Sequence, residues 1–288
     1  MPRVFRGTVL AFYWRYAAPT DASVFKYFTL MLGAVADNKI YVGTHEHSAD
    51  TPLFKGNELR VLDVNTGNEV FSMLSWPHPR TMAIADGILI YWNNYDGQIY
   101  ALGKGPTEMT VSLTNDVIQS GSSVMIKGTI TDVSAGTKQN EQAARFPQGV
   151  PVVSDASQSQ WMEYVYMQKP RPMDTTGVPI ALSVFDANGN FREIGTTTST
   201  DGFFSLNWKP GIQGQYTVYA SFGGSAAYYP SHAVTSFAVD PANPTTAPTE
   251  APIQSAADMY FVPAIAGLFV LIIIVAIVLA LLMLRKRP

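Results

Sequence analysis

Cysteine is absent from this chain of 288 residues. Its absence excludes disulfide bridges, thiolate nucleophiles, cysteine-type zinc sites and iron–sulfur clusters ligated by this chain. The sequence also lacks the P-loop, the dinucleotide-binding G-x-G-x-x-G pattern and the G-x-S-x-G pattern of hydrolases. We therefore expect a protein without catalysis of its own and without a cofactor.

Charged residues are scarce as well, at 14% of the chain, and the net charge is −3. Phosphate backbones are bound by basic surfaces, so this composition argues against a nucleic-acid partner. From Tyr260 to Leu284 charge is missing altogether. At about 1.5 Å per helical residue, a run of this length matches the ~30 Å hydrocarbon core of a bilayer. The sequence predicts one transmembrane helix over residues 260–284, with Pro263 in its first turn.

Residues at the two ends of this helix predict its orientation. Tyr260 and Phe261 suit one membrane interface, and the basic residues Arg285, Lys286 and Arg287 suit the cytoplasmic side. We therefore expect a single-pass protein of the cell membrane, held by the lipid bilayer, with its C-terminus in the cytoplasm and its bulk outside the cell.

The N-terminus complicates this orientation. Arg15 interrupts the first apolar run too early for the hydrophobic segment of a signal peptide. We therefore expect the native start to lie upstream of Met1. The alternative is a tail-anchored protein, whose bulk would lie in the cytoplasm.

An internal repeat occupies the first third of the chain. Ala36–Val42 matches Ala85–Tyr91, and Gly56–Asp63 matches Asp96–Gly103. The first two segments are offset by 49 residues and the second two by 40, because the first copy has a longer loop around residues 45–55. Units of about 40–50 residues built from short strands and turns are typical of β-propeller blades.

One segment of the repeat resembles a known family. Val61–Phe71 is similar to the blade motif A-x-D-x-x-T-G-x-x-x-W of quinoprotein-like (PQQ-like) β-propellers. The matching positions are Asp63, Thr66 and Gly67, while valine and phenylalanine replace the motif's alanine and tryptophan. The resemblance implies about two propeller blades over residues 1–104, with a tight turn at Thr66-Gly67.

Two blades are too few for a closed ring, which needs at least about four. We therefore expect an incomplete propeller, which is either the tail of a longer protein or a piece completed by another subunit. Quinone chemistry in that family needs calcium, an aspartate base and polar residues from most blades. This sequence does not supply that set, and a fold does not by itself imply a function.

From residue 105 to residue 240, short runs alternate apolar and polar residues, as half-buried strands do. Six or seven runs, with hairpin turns expected at Asn188-Gly189 and Asp201-Gly202, predict an antiparallel β-sandwich. Three segments resemble prokaryotic immunoglobulin-like (Ig-like) surface repeats: Thr200–Pro210, Gly214–Phe222 and Tyr229–Ser231. The succession of propeller, sandwich and anchor also resembles that of archaeal cell-surface proteins.

An insertion, residues 134–177, interrupts the sandwich pattern. Ser154-Asp155 shortly before Gln158 predicts a capped short helix. Three aromatic residues follow, and they are our candidates for binding a surface protein or a glycan: Trp161, Tyr164 and Tyr166. We expect these side chains to pack on the sandwich or the propeller, since exposed aromatic clusters are costly, and an exposed binding patch is the alternative.

Two further polar segments contain residue types that bind metal ions. His45 and His47, with Asp50 nearby, would face one side of an extended segment and are weak candidates for a metal site. Polar surface decoration is the alternative, and we expect no metal centre. Asp186–Asn190 has the composition of a calcium loop, but it reads better as a hairpin turn.

These expectations define an all-β fold class with one transmembrane helix. After the blades and the sandwich, residues 241–259 form a proline- and threonine-rich stalk, and residues 285–288 form the cytoplasmic tail. The function that fits is binding or a structural role at the cell surface. Two alternatives stay open: the C-terminal part of a PQQ-dependent oxidoreductase, and a membrane-tethered scaffold or assembly factor.

Overall fold

Strands dominate the structure, as the composition predicted. The computed structural model describes residues 14–16, 30–44, 56–242 and 255–285. Within these ranges the strands form four sheets, none of them closed, and one long apolar helix follows at the C-terminal end. The chain divides into two compact units, Met1–Ala242 and Asn243–Pro288.

The first sheet is antiparallel, with its strands in sequence order. They are β1 (Leu30–Ala36), β2 (Lys39–Thr44), β3 (Glu58–Asp63) and β4 (Glu69–Leu74). In the turn after β3, Asp63 Oδ1 accepts hydrogen bonds from the backbone N–H groups of Asn65 and Thr66, at 2.9 and 2.8 Å. Gly67 follows with φ +73°, a conformation that favours glycine. The tight turn predicted at Thr66-Gly67 is confirmed.

The second sheet packs face to face on the first. Its antiparallel strands are β5 (Ala83–Ala85), β6 (Ile88–Asn93) and β7 (Gln98–Leu102), preceded by the 3₁₀ turn Pro79–Thr81. Leu59 of β3 is buried against Leu89 and Tyr91 of β6. The two copies of the sequence repeat thus fold as two sheets that share an apolar interface.

The third and fourth sheets enclose a separate core. The third sheet contains β8 (Thr107–Leu113), β10 (Val124–Asp132), β11 (Val150–Pro151) and β14 (Phe203–Trp208). The fourth contains β9 (Val117–Gln119), β12 (Pro179–Phe185), β13 (Phe191–Thr198), β15 (Gly214–Phe222) and β16 (Ser231–Asp240). The order in the fourth sheet is β13-β12-β15-β16-β9, and only the short β16–β9 pair within it is parallel.

Alternation along these strands places every second side chain inside. The shared core includes Ile126 and Ile130 of β10, Ile180 and Val184 of β12, and Val218 of β15, all fully buried. These two sheets enclose one core between them, and we refer to the pair as the sandwich.

The two predicted hairpin turns have different outcomes. At Asp186–Asn190 the Asp186 carboxylate accepts hydrogen bonds from the backbone N–H groups of Asn188 and Asn190, at 2.9 Å each. Because β12 pairs with β13 across this turn, the hairpin is present. At Asp201-Gly202, Thr200 and Phe203 exchange backbone hydrogen bonds across a tight turn. However, β13 and β14 then enter different sheets, so the expected hairpin there is wrong: the turn is a corner between the layers.

The insertion forms two short helices, α1 (Asn140–Arg145) and α2 (Gln158–Met167). The 3₁₀ turns Ala135–Lys138 and Asp155–Ser157 precede them. The predicted helix is present, but the predicted serine cap is not. Ser154 Oγ lies 2.5 Å from Thr176 Oγ1 and makes no capping bond, because this hydroxyl joins the two ends of the insertion instead.

The C-terminal unit contains α3 (Ala256–Arg285), which begins before the predicted Tyr260. Pro263 therefore lies inside the helix and not in its first turn, since helical pairing already starts with the hydrogen bond from Met259 N to Ser255 O at 3.2 Å. Residues 256–259, assigned to the stalk from the sequence, are helical. Residues 243–254 of that stalk lie outside the described residues.

Candidate interaction surfaces

The insertion buries the aromatic side chain that the sequence offered for binding. Trp161 is 2% exposed and packs with Val153 and Val165, against Phe146 and Tyr164. The ring centroids of Trp161 and Tyr164 are 5.3 Å apart. Of the three candidates, Trp161 therefore belongs to the insertion's own core, while Tyr164 and Tyr166 are half-buried at its margin.

Arg145 closes the C-terminal end of α2. Its guanidinium donates hydrogen bonds to the carbonyl oxygens of Tyr164 and Val165, each at 3.0 Å, and lies 4.8 Å from the centroid of the Tyr164 ring. A cation is favourable at a helix C-terminus, where carbonyl groups lack helical partners. Arg145 thus fixes both the helix end and the Tyr164 ring.

The other side of α2 lies along the edge of the first sheet. β4 is an edge strand, whose unpaired backbone groups would otherwise face solvent. The Leu74 N–H donates to Glu163 Oε1 at 2.7 Å, and Ser159 Oγ donates to the Ser72 carbonyl oxygen. Ser159 and Glu163 are four residues apart, so they occupy one side of the helix. Side chains of the insertion therefore cover this sheet edge.

Removing the Glu163 carboxylate should expose that edge. In a Glu163→Ala variant, the partly buried Leu74 N–H loses its acceptor, at a cost of about 1 kcal/mol. We expect the hydrogen-exchange protection of the Leu74 amide to fall about tenfold. Gln160→Ala, an exposed change on the same helix, is the control and should leave that protection unchanged. Equal exchange in both variants would show that α2 does not stabilise β4.

A second contact joins the insertion to the loop between β15 and β16. The Asp155 carboxylate accepts hydrogen bonds from Ser225 Oγ at 2.8 Å, Ala226 N at 2.9 Å and Ala227 N at 3.0 Å. Burial alone would raise the pKa of Asp155, but these bonds and the nearby Lys104 charge outweigh it and lower the pKa. The insertion is thus held to the sandwich by a charged acceptor and to the first sheet by Glu163.

A buried carboxylate lies where the chain leaves the sandwich for the insertion. Asp132, the last residue of β10, is buried, and its Oδ1 accepts the Ser134 N–H at 2.8 Å. Burial raises the pKa of Asp132, and the hydrogen bonds from Ser134 only partly offset it. Burial also raises the pKa of the nearby Tyr166 and Tyr228. This polar group fixes the first turn of the insertion.

A shallow cleft of about 250 Å³ lies between the insertion and the corner turn at Asp201-Gly202. Phe146 and Phe203 supply apolar walls, and Thr129 and Arg145 supply polar groups. Phe203 is exposed. The cleft combines aromatic and hydrogen-bonding surface, and sequence reasoning did not find it because its walls come from distant segments.

A charged cluster on the first sheet was not predicted from the sequence. It consists of Tyr16, Glu58, Arg60 and Glu69. Arg60 is buried, and its Nη2 and Nη1 lie 2.5 Å from Glu58 Oε2 and Glu69 Oε2. Arg60 Nη1 also donates to Tyr16 Oη at 2.9 Å, and that hydroxyl bonds to Glu69. Burial and the bond to Glu69 raise the pKa of Tyr16 to about 12. The cluster occupies the side of the sheet turned away from the second sheet.

An apolar surface lies on the second sheet, on the side turned away from the first. We call it the open face, and its large exposed side chains are Ile88, Ile90, Trp92 and Ile99. Alternation places the first three on one side of β6, and Ile99 of β7 lies opposite Trp92 on the same side of the sheet. A shallow depression among these side chains extends to Thr81. The signal in the sequence was the uninterrupted apolar run Ile88-Leu89-Ile90-Tyr91-Trp92, which is typical of a strand covered on both faces.

The remaining predicted site residues lie at the membrane helix or outside the described part. Tyr260 and Phe261 are exposed near the start of α3, and Arg285 is its last residue. Lys286 and Arg287 lie outside the described residues, as do the metal candidates His45, His47 and Asp50. Among the residues that the structure describes, no group of three or more potential ligands could hold a metal ion.

No protein-family profile and no curated protein matches the sequence. The chain is similar to a tetra-tandem repeat in the extending region of a large adhesion protein, with 17% identity over 73% of this chain and 48% of that one, at a TM-score of 0.31. It is also similar to the CARDB domain of a Pyrococcus furiosus protein in complex with di-metal ions. Identity there is 9% over 48% of this chain and 91% of that one, at a TM-score of 0.25.

A beta-glucosidase from Listeria innocua, in complex with glucose, gives a third likeness. Identity is 12% over 49% of this chain and 17% of the glucosidase, at a TM-score of 0.26. This chain therefore spans a small part of that enzyme's length. The TM-scores of all these likenesses are too low to assign a shared fold or a function.

Proposed function

We propose that this chain is a single-pass, membrane-anchored surface protein whose β-sheet region serves in binding or in the structure of the cell envelope, without catalysis. The observation that carries the proposal is the helix Met259–Arg285. It comprises 27 residues and contains an 18-residue window with a mean hydropathy of 3.4, and within the described structure none of that window is buried. A helix of this length and composition is stable when surrounded by lipid.

The finer architecture belongs to the same proposal. We assign the first two sheets as blades of a PQQ-like propeller, supported by the internal repeat and by the Asp63 and Thr66-Gly67 turn. We assign the third and fourth sheets as an Ig-like sandwich, supported by their common core. Both are architectures that present loops and insertions from a rigid frame, and binding residues concentrate in such segments.

The cleft beside Arg145 is the surface we favour for a protein or glycan partner. Phe146 and Phe203 can stack on a flat apolar face, and Thr129 and Thr131 can hydrogen-bond to hydroxyl groups at its rim. The buried position of Trp161 supports this choice, since the side chain with the largest apolar area holds the insertion together and is not available to a partner.

The orientation can be tested with single cysteines, because the chain has none of its own. Asn188→Cys lies in an exposed hairpin turn, and Pro288→Cys lies at the C-terminus. On intact cells producing the full chain, a membrane-impermeant maleimide should label the Asn188→Cys protein. The Pro288→Cys protein should be labelled only after lysis, and the cysteine-free parent gives the background.

Extraction tests the anchor separately. We expect alkaline carbonate to leave the protein in the membrane pellet and detergent to release it. Release by carbonate would overturn the anchor. Labelling of Asn188→Cys only after lysis would instead place the β-sheet region in the cytoplasm and favour the tail-anchored alternative.

A further inference from the structure

The open face exposes more apolar surface than a folded sheet usually leaves in water. Ile99 is 69% exposed, Ile88 and Ile90 are each 45% exposed, and Trp92 is 41% exposed. Ala83, Ala85 and Ala101 complete this side of the sheet, so it carries no charge. Contiguous apolar patches of a few hundred Å² usually mark interaction sites.

The internal repeat allows the open face to be compared with the equivalent side of the first sheet. Leu59, Tyr41 and Val61 of the first sheet correspond in the repeat to Ile99, Ile90 and Ala101 of the second. Leu59 is fully buried against the second sheet, and Tyr41 packs on the same cluster. The same side of the repeat unit is thus a packing surface in the first sheet and uncovered in the second.

A second copy of the chain could cover the open face in two ways. In a head-to-tail contact, it would use the far side of its own first sheet. That side carries the charged cluster of Arg60 with Glu58 and Glu69. Burying such charges against an apolar face costs several kcal/mol. The head-to-tail contact is therefore disfavoured.

The remaining arrangement is symmetric. We propose that two copies of this chain associate through their open faces, with Ile90, Trp92 and Ile99 of one copy packed on the same residues of the other. Such a contact is closed by a two-fold axis and does not propagate into fibres. It brings two uncharged sheet faces together at the ~10 Å spacing of packed sheets. This inference goes beyond the proposed surface role; it rests on the proposed membrane anchor for the confinement of the two copies, but not on which ligand the protein binds.

Size and confinement favour a dimer over a free monomer. A stable interface takes about 800 Å² from each partner, so the open face would form its apolar centre and the turns Asp86-Gly87 and Asp96-Gly97 its polar rim. Confinement of both copies to one membrane raises their effective concentration, so a contact of modest area is sufficient.

Cross-linking of single-cysteine variants tests the contact in the full chain. Each test variant carries a single cysteine, placed on the open face by Ile88→Cys, Ile90→Cys or Ile99→Cys. In membranes treated with a short bismaleimide, we expect at least one of them to form a dimer of twice the 31.4 kDa chain mass. Phe191→Cys and Ile212→Cys, exposed on the sandwich, are the controls and should remain monomeric.

Three results would overturn the proposal. The first is cross-linking of the open-face variants no greater than that of the controls. The second is rapid labelling of all three open-face cysteines by maleimide in native membranes, which would show that the face is uncovered. The third is protection from maleimide without a homodimer, which would show that a different partner covers it.

A charge variant provides a measurement that does not depend on cross-linker geometry. Ile90→Lys combined with Ile99→Lys should convert the dimer to a monomer in detergent, measured by light scattering, with at least a tenfold weaker association. Phe191→Lys should leave the dimer intact. An unchanged circular dichroism spectrum of the double variant confirms that the exposed positions are not needed for folding, and a dimer that persists in it contradicts the proposal. None of these outcomes alters the carbonate and labelling tests of the anchor.

Discussion

Replacement of Trp161 by alanine is expected to lower the free energy of unfolding of the insertion by about 3–5 kcal/mol, the range for truncating a buried aromatic residue. The indole is buried among Val153, Val165 and Phe146, so its removal leaves a cavity in the core of the insertion. Since α2 also covers the edge of β4, unfolding of this helix should expose that edge as well. Urea unfolding of the detergent-solubilised chain, followed by near-ultraviolet circular dichroism, measures the effect.

Trp161→Phe is the matched control for this prediction. It keeps an aromatic ring in the cluster, and it removes an indole N–H that is buried without a hydrogen-bond partner among the described residues. We expect a loss below about 1.5 kcal/mol, typical of a substitution that roughly preserves packing. If alanine and phenylalanine had equal small effects, the insertion would not depend on this core.

Replacement of Arg60 by methionine is expected to destabilise the first sheet by about 3 kcal/mol, because it leaves the buried ends of two carboxylates without their cation. Glu58 and Glu69 both lie 2.5 Å from the Arg60 guanidinium. Adding Glu58→Gln and Glu69→Gln to the same chain removes the unpaired charges. We expect the triple variant to recover most of the stability that Arg60→Met loses. Hydrogen exchange of the β3 amides measures the stability of the sheet in each variant.

The pH dependence distinguishes lost charge pairing from lost packing. Burial raises the pKa of Glu69, but hydrogen bonds from Tyr16, Arg60 and Ser72 and the Arg60 charge outweigh it, so the pKa lies below its usual 4.5. Its contribution is therefore present above pH 4.5 and is lost as the pH falls through the lowered pKa. We expect the difference in stability of the first sheet between the parent and the Arg60→Met variant to shrink below about pH 4. A difference that is constant with pH would indicate a packing effect alone.

Local chemistry was the part of the fold that the sequence predicted well. The uncharged run after Tyr260 forms a long helix, and Asp186 and Thr66-Gly67 form their turns, because each is decided by a few neighbouring residues. At Asp201-Gly202 the turn itself also forms. What the sequence could not show is that the two following strands belong to different sheets, since that depends on the packing of the whole core.

The candidate surfaces were harder to predict for the same reason. Glu163 bonds to Leu74, which lies 89 residues earlier, and no local pattern indicates such a contact. Arg60 in a strand reads as a solvent-facing residue until its carboxylate partners and Tyr16 are placed beside it. The apolar run of β6 indicates a strand covered on both faces, but only the packing of the two sheets shows which side the first sheet covers.

The pairing of β16 bears on how the protein withstands mechanical load. Near its end this strand is flanked by β15 on one side and by the parallel strand β9 on the other, with Ala238, Val239 and Asp240 opposite Val117, Ile118 and Gln119. Interstrand hydrogen bonds run across the strand direction. Tension along β16 is therefore shared by two ladders at once, which resists peeling of the last strand in a chain that has no covalent cross-link to arrest it.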